Sequence, residues 1–480
     1  MKEEQAEMKV EMNREDPVNS VNASAPKFFG ATDSETIQNA VDFARVHDLS
    51  QVTIPRYNAR TGKTVWEIDK AILLPSAMTV ILEDAHLRMA DGVFDNIFRN
   101  ERCYSDKGCT LEGEQHDIRI LGVGHALLDG GNPNGLTEQY IRDHPDEELS
   151  MFTNLTVQFH NVRDFELKNL HFRDTRYWAM AFSFCRWGRL IDLDFRNYGT
   201  VENQDGIDLR VGCEYFTIEN ITGITGDDTV ALTALPKSGN ALRWAVKGKR
   251  PDIHDVSIRN IISATHGCAL IRFLCEDGAS IYNVTVDGVK DTEKAVSGST
   301  ILFGASNTSF VRERSRVMGE FRNVMIRNVS SMAQTGIALY EPCQDIVVEN
   351  VVITGKNEAG LAFTANFAAK NVTIRNLVIA PDPTYAPDAA FAFGEVPDEN
   401  LSGLTIENVQ VRNVQHVFRG KTFDVRNMTF EEPTEAFFTP ERKRKHSAYG
   451  RYFRDFYGKE IMNRPPDNRI DGTLKIEDEY

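Results

Sequence analysis

A five-residue unit in which apolar and polar side chains alternate recurs through most of the chain and closes on a turn-forming residue. It ends on Asn169, Asn197, Asn220, Asn260, Asn328, Asn350, Asn376, Asn408 and Asn427, with Gly288 in the same place once. Successive end positions are 28, 23, 40, 28, 40, 22, 26, 32 and 19 residues apart. The short intervals fit one solenoid coil per unit and the long ones fit coils carrying insertions. Period-two alternation sends one set of side chains inward and the other to solvent. Asn at each strand end suits a tight corner, because it tolerates left-handed backbone and its amide can bond the coil alongside. The pattern predicts an all-β chain wound as a single-stranded right-handed parallel β-helix. A sandwich would show more Gly/Pro hairpin turns, and propeller blades a longer and steadier period.

Before the repeats, Asp33, Ser34 and Glu35 precede Ile37, Ala40, Val41 and Ala44, one face of a helix with an acidic first turn. Such a helix would cap the open end of the solenoid. Strands are expected at 52–55, 66–75 and 79–89. Residues 1–26 read as a loose arm rich in Glu, Asn and Ser, residues 27–432 as the β-helix, and residues 433–480 as a basic-aromatic tail. The tail would pack on the solenoid or on a neighbouring subunit, giving a possible homo-oligomer.

Charge narrows the partners. With 54 basic and 70 acidic residues among 480, the net charge of −16 disfavours nucleic acid and anionic membrane surfaces. No apolar run is long enough to span a bilayer. The charged N-terminus shows no secretory leader, so the expected location is cytoplasmic, or outside the cell if a leader has been removed. The seven scattered cysteines lack zinc-type spacing and suggest reduced residues in core or cleft.

The chemistry concentrates in Asn203-Gln204-Asp205-Gly206-Ile207-Asp208, then Gly226-Asp227-Asp228, then His266-Gly267. Asp205 and Asp227 stand 22 residues apart, one coil length, which places them on neighbouring strands about 4.8 Å apart. Carboxylates that close cannot all ionise easily, so one proton is retained beside an ionised neighbour. An acid and a base so paired suit hydrolysis of a glycosidic bond. Strict alternation would put Asp227 and Asp228 on opposite faces, and Gly226 offers the bend that would bring them together.

These motifs resemble those of the polygalacturonases of glycoside hydrolase family 28, whose pattern is Asn-Thr-Asp-Gly, Asp-Asp and Gly-His-Gly, in that order. Trp178 and Cys185 extend the likeness, which covers roughly residues 27–430. The resemblance implies an inverting hydrolase of pectin-type plant-cell-wall oligosaccharides. By it, Asp227 would be the general acid, Asp205 and Asp228 would activate water, and His266 would support the site. No metal or organic cofactor is implied. The family's Arg-Ile-Lys is absent, its place being taken by Thr300-Ile301-Leu302.

Asn203 and Asp208 are candidates for binding the sugar. Arg176, Arg210 and Arg272 could replace the missing cations, since Arg matches carboxylate geometry, and Trp178 could stack on a sugar ring. Insertions at 100–150 and 232–251 are expected to wall the cleft, which would suit an exo mode. A β-helix polysaccharide lyase and a non-catalytic carbohydrate-binding β-helix are the alternatives.

Overall fold

The computed structural model describes residues 20–431, apart from 148–149, 277, 305–316, 356, 384–386 and 388. The tail at 433–480 and the first 19 residues of the expected arm lie outside the described residues.

Parallel pairing joins seventeen strands into one sheet and twelve shorter strands into a second. Each coil contributes to both, and the crossovers make a right-handed parallel β-helix. The longer strands run 11 to 13 residues over the central coils, as in Arg186–Arg196, Glu214–Thr225, Ile253–Thr265 and Ile281–Asp291. They stay that long by turning a corner. In Phe321–Ser331 the inward residues are Phe321, Val324, Ile326 and Val329, with Arg327 and Asn328 both facing out. Asn328 has φ +60°, and this left-handed residue resets the alternation so that the strand folds around the core.

The corner residues bond along the solenoid. Asn350 donates its amide to Asn328 at 3.3 Å, Asn376 to Asn350 at 3.1 Å, Asn408 to Asn376 at 3.2 Å and Asn427 to Asn408 at 2.8 Å. One unit was out of phase in the sequence. Leu193 pairs with Ile221, so the corner of that coil is Asp192, with φ +58°, and it accepts the Asn220 amide at 2.8 Å. Asn197 instead is buried and takes the Thr175 N–H at 3.1 Å. A second ladder, at the start of the long strands, joins Asn283 to Asp255 and Asn323 to Asn283, again at positive φ.

Between the sheets runs a column of apolar side chains whose rings stack from coil to coil. Phe273 and Phe303 lie 4.3 Å apart and Phe363 and Phe393 lie 4.6 Å apart, nearly parallel in both pairs. Helix α1 (Asp33–Val46) closes one end, burying Ile37, Ala40, Val41 and Ala44. Thr32 caps it by accepting the Glu35 N–H at 3.2 Å. The solenoid starts earlier than expected: Ser20–Asn22 already pairs with Gln51–Thr53, so residues 20–26 belong to the first coil. The two long strands expected at 66–75 and 79–89 are each broken, into Val65–Ile68 and Ile72–Leu74, and into Met78–Glu83 and His86–Met89. All seven cysteines are free thiols, five of them buried.

Candidate active site

The acidic motifs sit where three neighbouring coils enter the short-strand sheet. Asp205 precedes Ile207–Leu209, Asp227 and Asp228 precede Val230–Ala234, and Cys268 precedes Ala269–Cys275. Backbone bonds fix their register: Gly206 N–H donates to Asp228 O at 2.9 Å and Thr229 N–H to Ala269 O at 3.0 Å.

The expected bend at Gly226 is present. A Cβ there would lie 2.7 Å from that of Gln204, so the close approach requires glycine. The next carbonyl, that of Asp227, accepts the Thr225 hydroxyl at 2.7 Å and also the Thr265 hydroxyl. With that carbonyl tied down, Asp227, Asp228 and Cys268 bring side-chain donor atoms within 4.8 Å of one another.

The carboxyl groups differ in environment. Asp228 is buried, and one oxygen accepts the Ala269 N–H at 2.8 Å while the other accepts Arg272 Nη1 at 2.8 Å. The two bonds fix the orientation of the carboxylate. Asp227 is partly exposed. Desolvation, reinforced by the charge of Asp228, pushes its carboxyl up from 3.8 to about 6. Asp205 is raised well above the usual range, first by burial and then by Asp227, Asp208 and Asp228. Asp208 is raised by burial too, with Arg210 pulling the other way. Burial and the neighbouring carboxylates thus oppose ionisation of Asp205, the group expected to help activate water.

The other predicted residues divide. Arg272 is spent on Asp228 and so acts as its counter-ion, not as a free grip for substrate. Arg210 is buried with its guanidinium 4.7 Å from the Trp178 ring centre, and its charge acts on Asp208. Arg176 does not reach a cleft. It is buried and donates to the carbonyls of Asn132, Val93 and Ala90 at 2.9, 2.7 and 2.8 Å, stitching loops together. Trp178, partly buried, packs edge-on against Phe152 at 5.4 Å on the side of a small apolar cluster. Asn203 donates to Glu138 at 3.2 Å. His266 follows the coil of Asp227, its N–H on Thr225 O at 3.0 Å and its ring against Gly199, and burial lowers its pKa.

Three residues near the carboxylates escaped the sequence reading. Cys268, buried, lies with its sulfur 3.6 Å from Arg272 Nη1 and hydrogen-bonds Asp227. Its place directly after His266-Gly267 was the available signal. The Tyr177 hydroxyl donates to Glu138 at 3.1 Å, and burial, with the Glu138 charge beside it, raises its pKa. Glu138 itself lies in helix α2 (Glu138–Asp143), within an insertion whose pattern gave no clue. As for a metal, the Asp227–Asp228–Cys268 spacing would suit a cation, but Arg272 already supplies positive charge to Asp228.

Fold and site together define the class: a right-handed parallel β-helix with an acidic cluster on its short-strand sheet. Residues 103–243 match the model of glycosyl hydrolases family 28, a segment that contains Asn203 through Asp228. The chain is thus similar to the polygalacturonase-type members of that family and diverges from them at the missing Arg-Ile-Lys. Among solved structures, the bacteriophage HK620 tailspike mutant in complex with hexasaccharide aligns at 13% identity, over 83% of this chain and 78% of its own, with a TM-score of 0.51. The family 28 exopolygalacturonase of Yersinia enterocolitica aligns at 12% identity, over 86% and 79%, with a TM-score of 0.46. The exopolygalacturonase of Thermotoga maritima aligns at 14% identity, over 84% and 92%, with a TM-score of 0.47. At such identity the structural likeness speaks to fold alone. No curated protein matches the sequence.

Proposed function

We propose that this chain is an inverting glycoside hydrolase acting on pectin-type oligosaccharides of the plant cell wall. The observation that carries the reading is the pairing of a partly exposed Asp227, raised to about 6, with an Asp228 anion held by Arg272. Asp227 donates its proton to the departing glycosidic oxygen, and Asp228 takes a proton from the attacking water. Asp205, whose ionisation burial opposes, orients that water. Cys268 steadies Asp227 from the next coil.

In register with Arg272, the short-strand row runs on through Leu302, Ala338, Ala362 and Ala392 to Arg419. The test is hydrolysis of oligogalacturonides, their methyl esters and rhamnogalacturonan fragments, with Asp227→Asn as control. Product from the wild type, lost in the variant, is expected. An unsaturated product that disappears with chelator would indicate a lyase instead, and binding without turnover across the panel would indicate a carbohydrate-binding protein.

A further inference from the structure

Near the start of the long strands each coil turns on a left-handed residue. Asp or Asn fills that place at Asp117, Asp164, Asp255, Asn283, Asn323, Asp345 and Asn371, and both tolerate the conformation. Two adjacent coils depart from the rule, with Trp187 at φ +53° and Tyr215 at φ +59°. A bulky side chain strains such a backbone. Both rings are exposed, so core packing does not require them there. Strain of this kind gathers at functional sites.

The two rings stack on each other at 5.9 Å and brace their neighbours. The Arg186 guanidinium lies 4.5 Å from the Trp187 ring centre, and the His254 ring meets Tyr215 edge-on at 5.8 Å. Arg186 and His254 both line a cavity of about 340 Å³, within the size range of small-molecule pockets. Leu111, Gly248 and Arg250 stand exposed along it, so it opens to solvent. The cavity lies apart from the acidic cluster. Asp205, Asp227 and Asp228 precede the short strands, whereas Arg186, Glu214 and His254 stand at the start of the long strands that follow.

The cavity offers two kinds of partner. Glu114, from the first insertion, accepts Arg186 Nε and Nη2 at 2.9 and 2.7 Å, and Nζ of Lys249, from the second insertion, at 2.7 Å. One carboxylate thus holds two cations in place, and Arg250 adds a third. Among the described residues Arg186 Nη1 makes no hydrogen bond, and Arg250 makes neither a hydrogen bond nor an ion pair. Glu214 and Asp252 supply acceptors: His254 Nε2 lies 3.2 Å from Glu214, and Asp252 accepts the Ser280 N–H at 2.8 Å. Each carboxylate keeps lone pairs for a hydroxyl. An inorganic anion would leave those acceptors and most of the volume unused.

We propose that this cavity is a second ligand site and takes a sugar acid, a small molecule with one carboxylate and several hydroxyls. The ligand's carboxylate meets Arg186 Nη1, Lys249 and Arg250, since guanidinium geometry matches it. Its hydroxyls donate to Glu214 and Asp252. No residue of the acidic cluster takes part, so the site does not rest on the hydrolytic reading.

The test is isothermal titration calorimetry on the full-length protein with galacturonate, galactose, glutamate and inorganic phosphate. Galacturonate is expected to bind the wild type. Arg250→Ala, a change at an exposed side chain, should weaken that binding about tenfold, as loss of one charge-assisted hydrogen bond implies. Galactose, which lacks the carboxylate, should bind more weakly than galacturonate. Asp227→Asn should leave the galacturonate affinity unaltered, which separates this cavity from the acidic cluster. Equal affinity in wild type and Arg250→Ala, or no binding of galacturonate, would overturn the proposal. Phosphate or glutamate binding as tightly as galacturonate would overturn the assignment to a sugar acid. Each of these results leaves the hydrolytic role of Asp227 to its own test.

Discussion

Along the long-strand sheet, Asn350, Asn376, Asn408 and Asn427 each donate an amide to the preceding coil and stay exposed to water. Across the core, the short-strand sheet buries Asp205, Asp208 and Asp228 together and sets Asp227 beside them. Both regions stack polar groups at the same coil spacing. In this run of four asparagines every group is neutral, so stacking satisfies hydrogen bonds at no electrostatic cost. In the cluster every group can ionise, so stacking leaves charges in conflict, and that conflict sets the protonation states acid–base chemistry requires. Regular repetition thus builds the scaffold, and one departure from it builds the site.

The sharpest way to break that contrast is to remove one group from each region. Asp227→Asn should lower turnover about a thousandfold, within the range ascribed to a general acid, with little change in melting temperature. Asn376→Ala should leave turnover unaltered. The same acid gives a pH prediction. Asp227 must be protonated to act, so activity falls as pH rises through about 6, which a kcat/KM profile will show.

Removing the counter-ion should be the most costly change to stability. Arg272→Met leaves the buried Asp228 charge unpaired, at an expected cost of about 3–5 kcal/mol in urea unfolding. Adding Asp228→Asn should recover most of that loss. Recovery would locate the cost in the stranded charge and not in lost packing.

A third change concerns Asp291, buried at the end of the Ile281–Asp291 strand, where desolvation raises its carboxyl from 3.8 to about 6. The folded protein holds this proton more tightly than the unfolded chain does. The resulting stability is fully present below about pH 4 and is lost as pH rises through about 6. Asp291→Asn should therefore stabilise the protein at pH 7 by roughly 1–3 kcal/mol and change little at pH 4, measured by unfolding at both values.

The smallest effect belongs to the ladder. Asn376→Ala removes two exposed amide bonds, the one it donates to Asn350 and the one it accepts from Asn408, and puts Ala at φ +59°, for a loss of about 1–2 kcal/mol. Asn376→Gly should lose less, because glycine accepts that backbone. A difference between the two in unfolding free energy separates strain from the lost bonds.

Much of the fold was legible because each coil repeats one local demand, an inward–outward alternation ended by a left-handed corner. The misphased unit at Asn197 shows where this runs out. Asp192 serves the corner as well as Asn does, and the register is decided by the pairing of Leu193 with Ile221. The carboxylates were legible because coil spacing converts sequence distance into adjacency. The arginines were not, since their partners are distant in sequence. Arg176 is held by carbonyls more than forty residues upstream, and Arg272 bonds Asp228 forty-four residues back. Nothing local distinguishes an arginine so occupied from one free to meet a sugar. Glu138 was hidden for the same reason, because an inserted segment reaches the site without sharing the repeat.

The central claim is that Asp227 gives a proton while water attacks from the side of Asp228. It is tested most directly by following the anomeric proton of the first-formed product by NMR, for wild type and Asp227→Asn. The account predicts a product of inverted configuration from the wild type and none on the same timescale from the variant. A product that retains configuration, or equal turnover by Asp227→Asn, would contradict it.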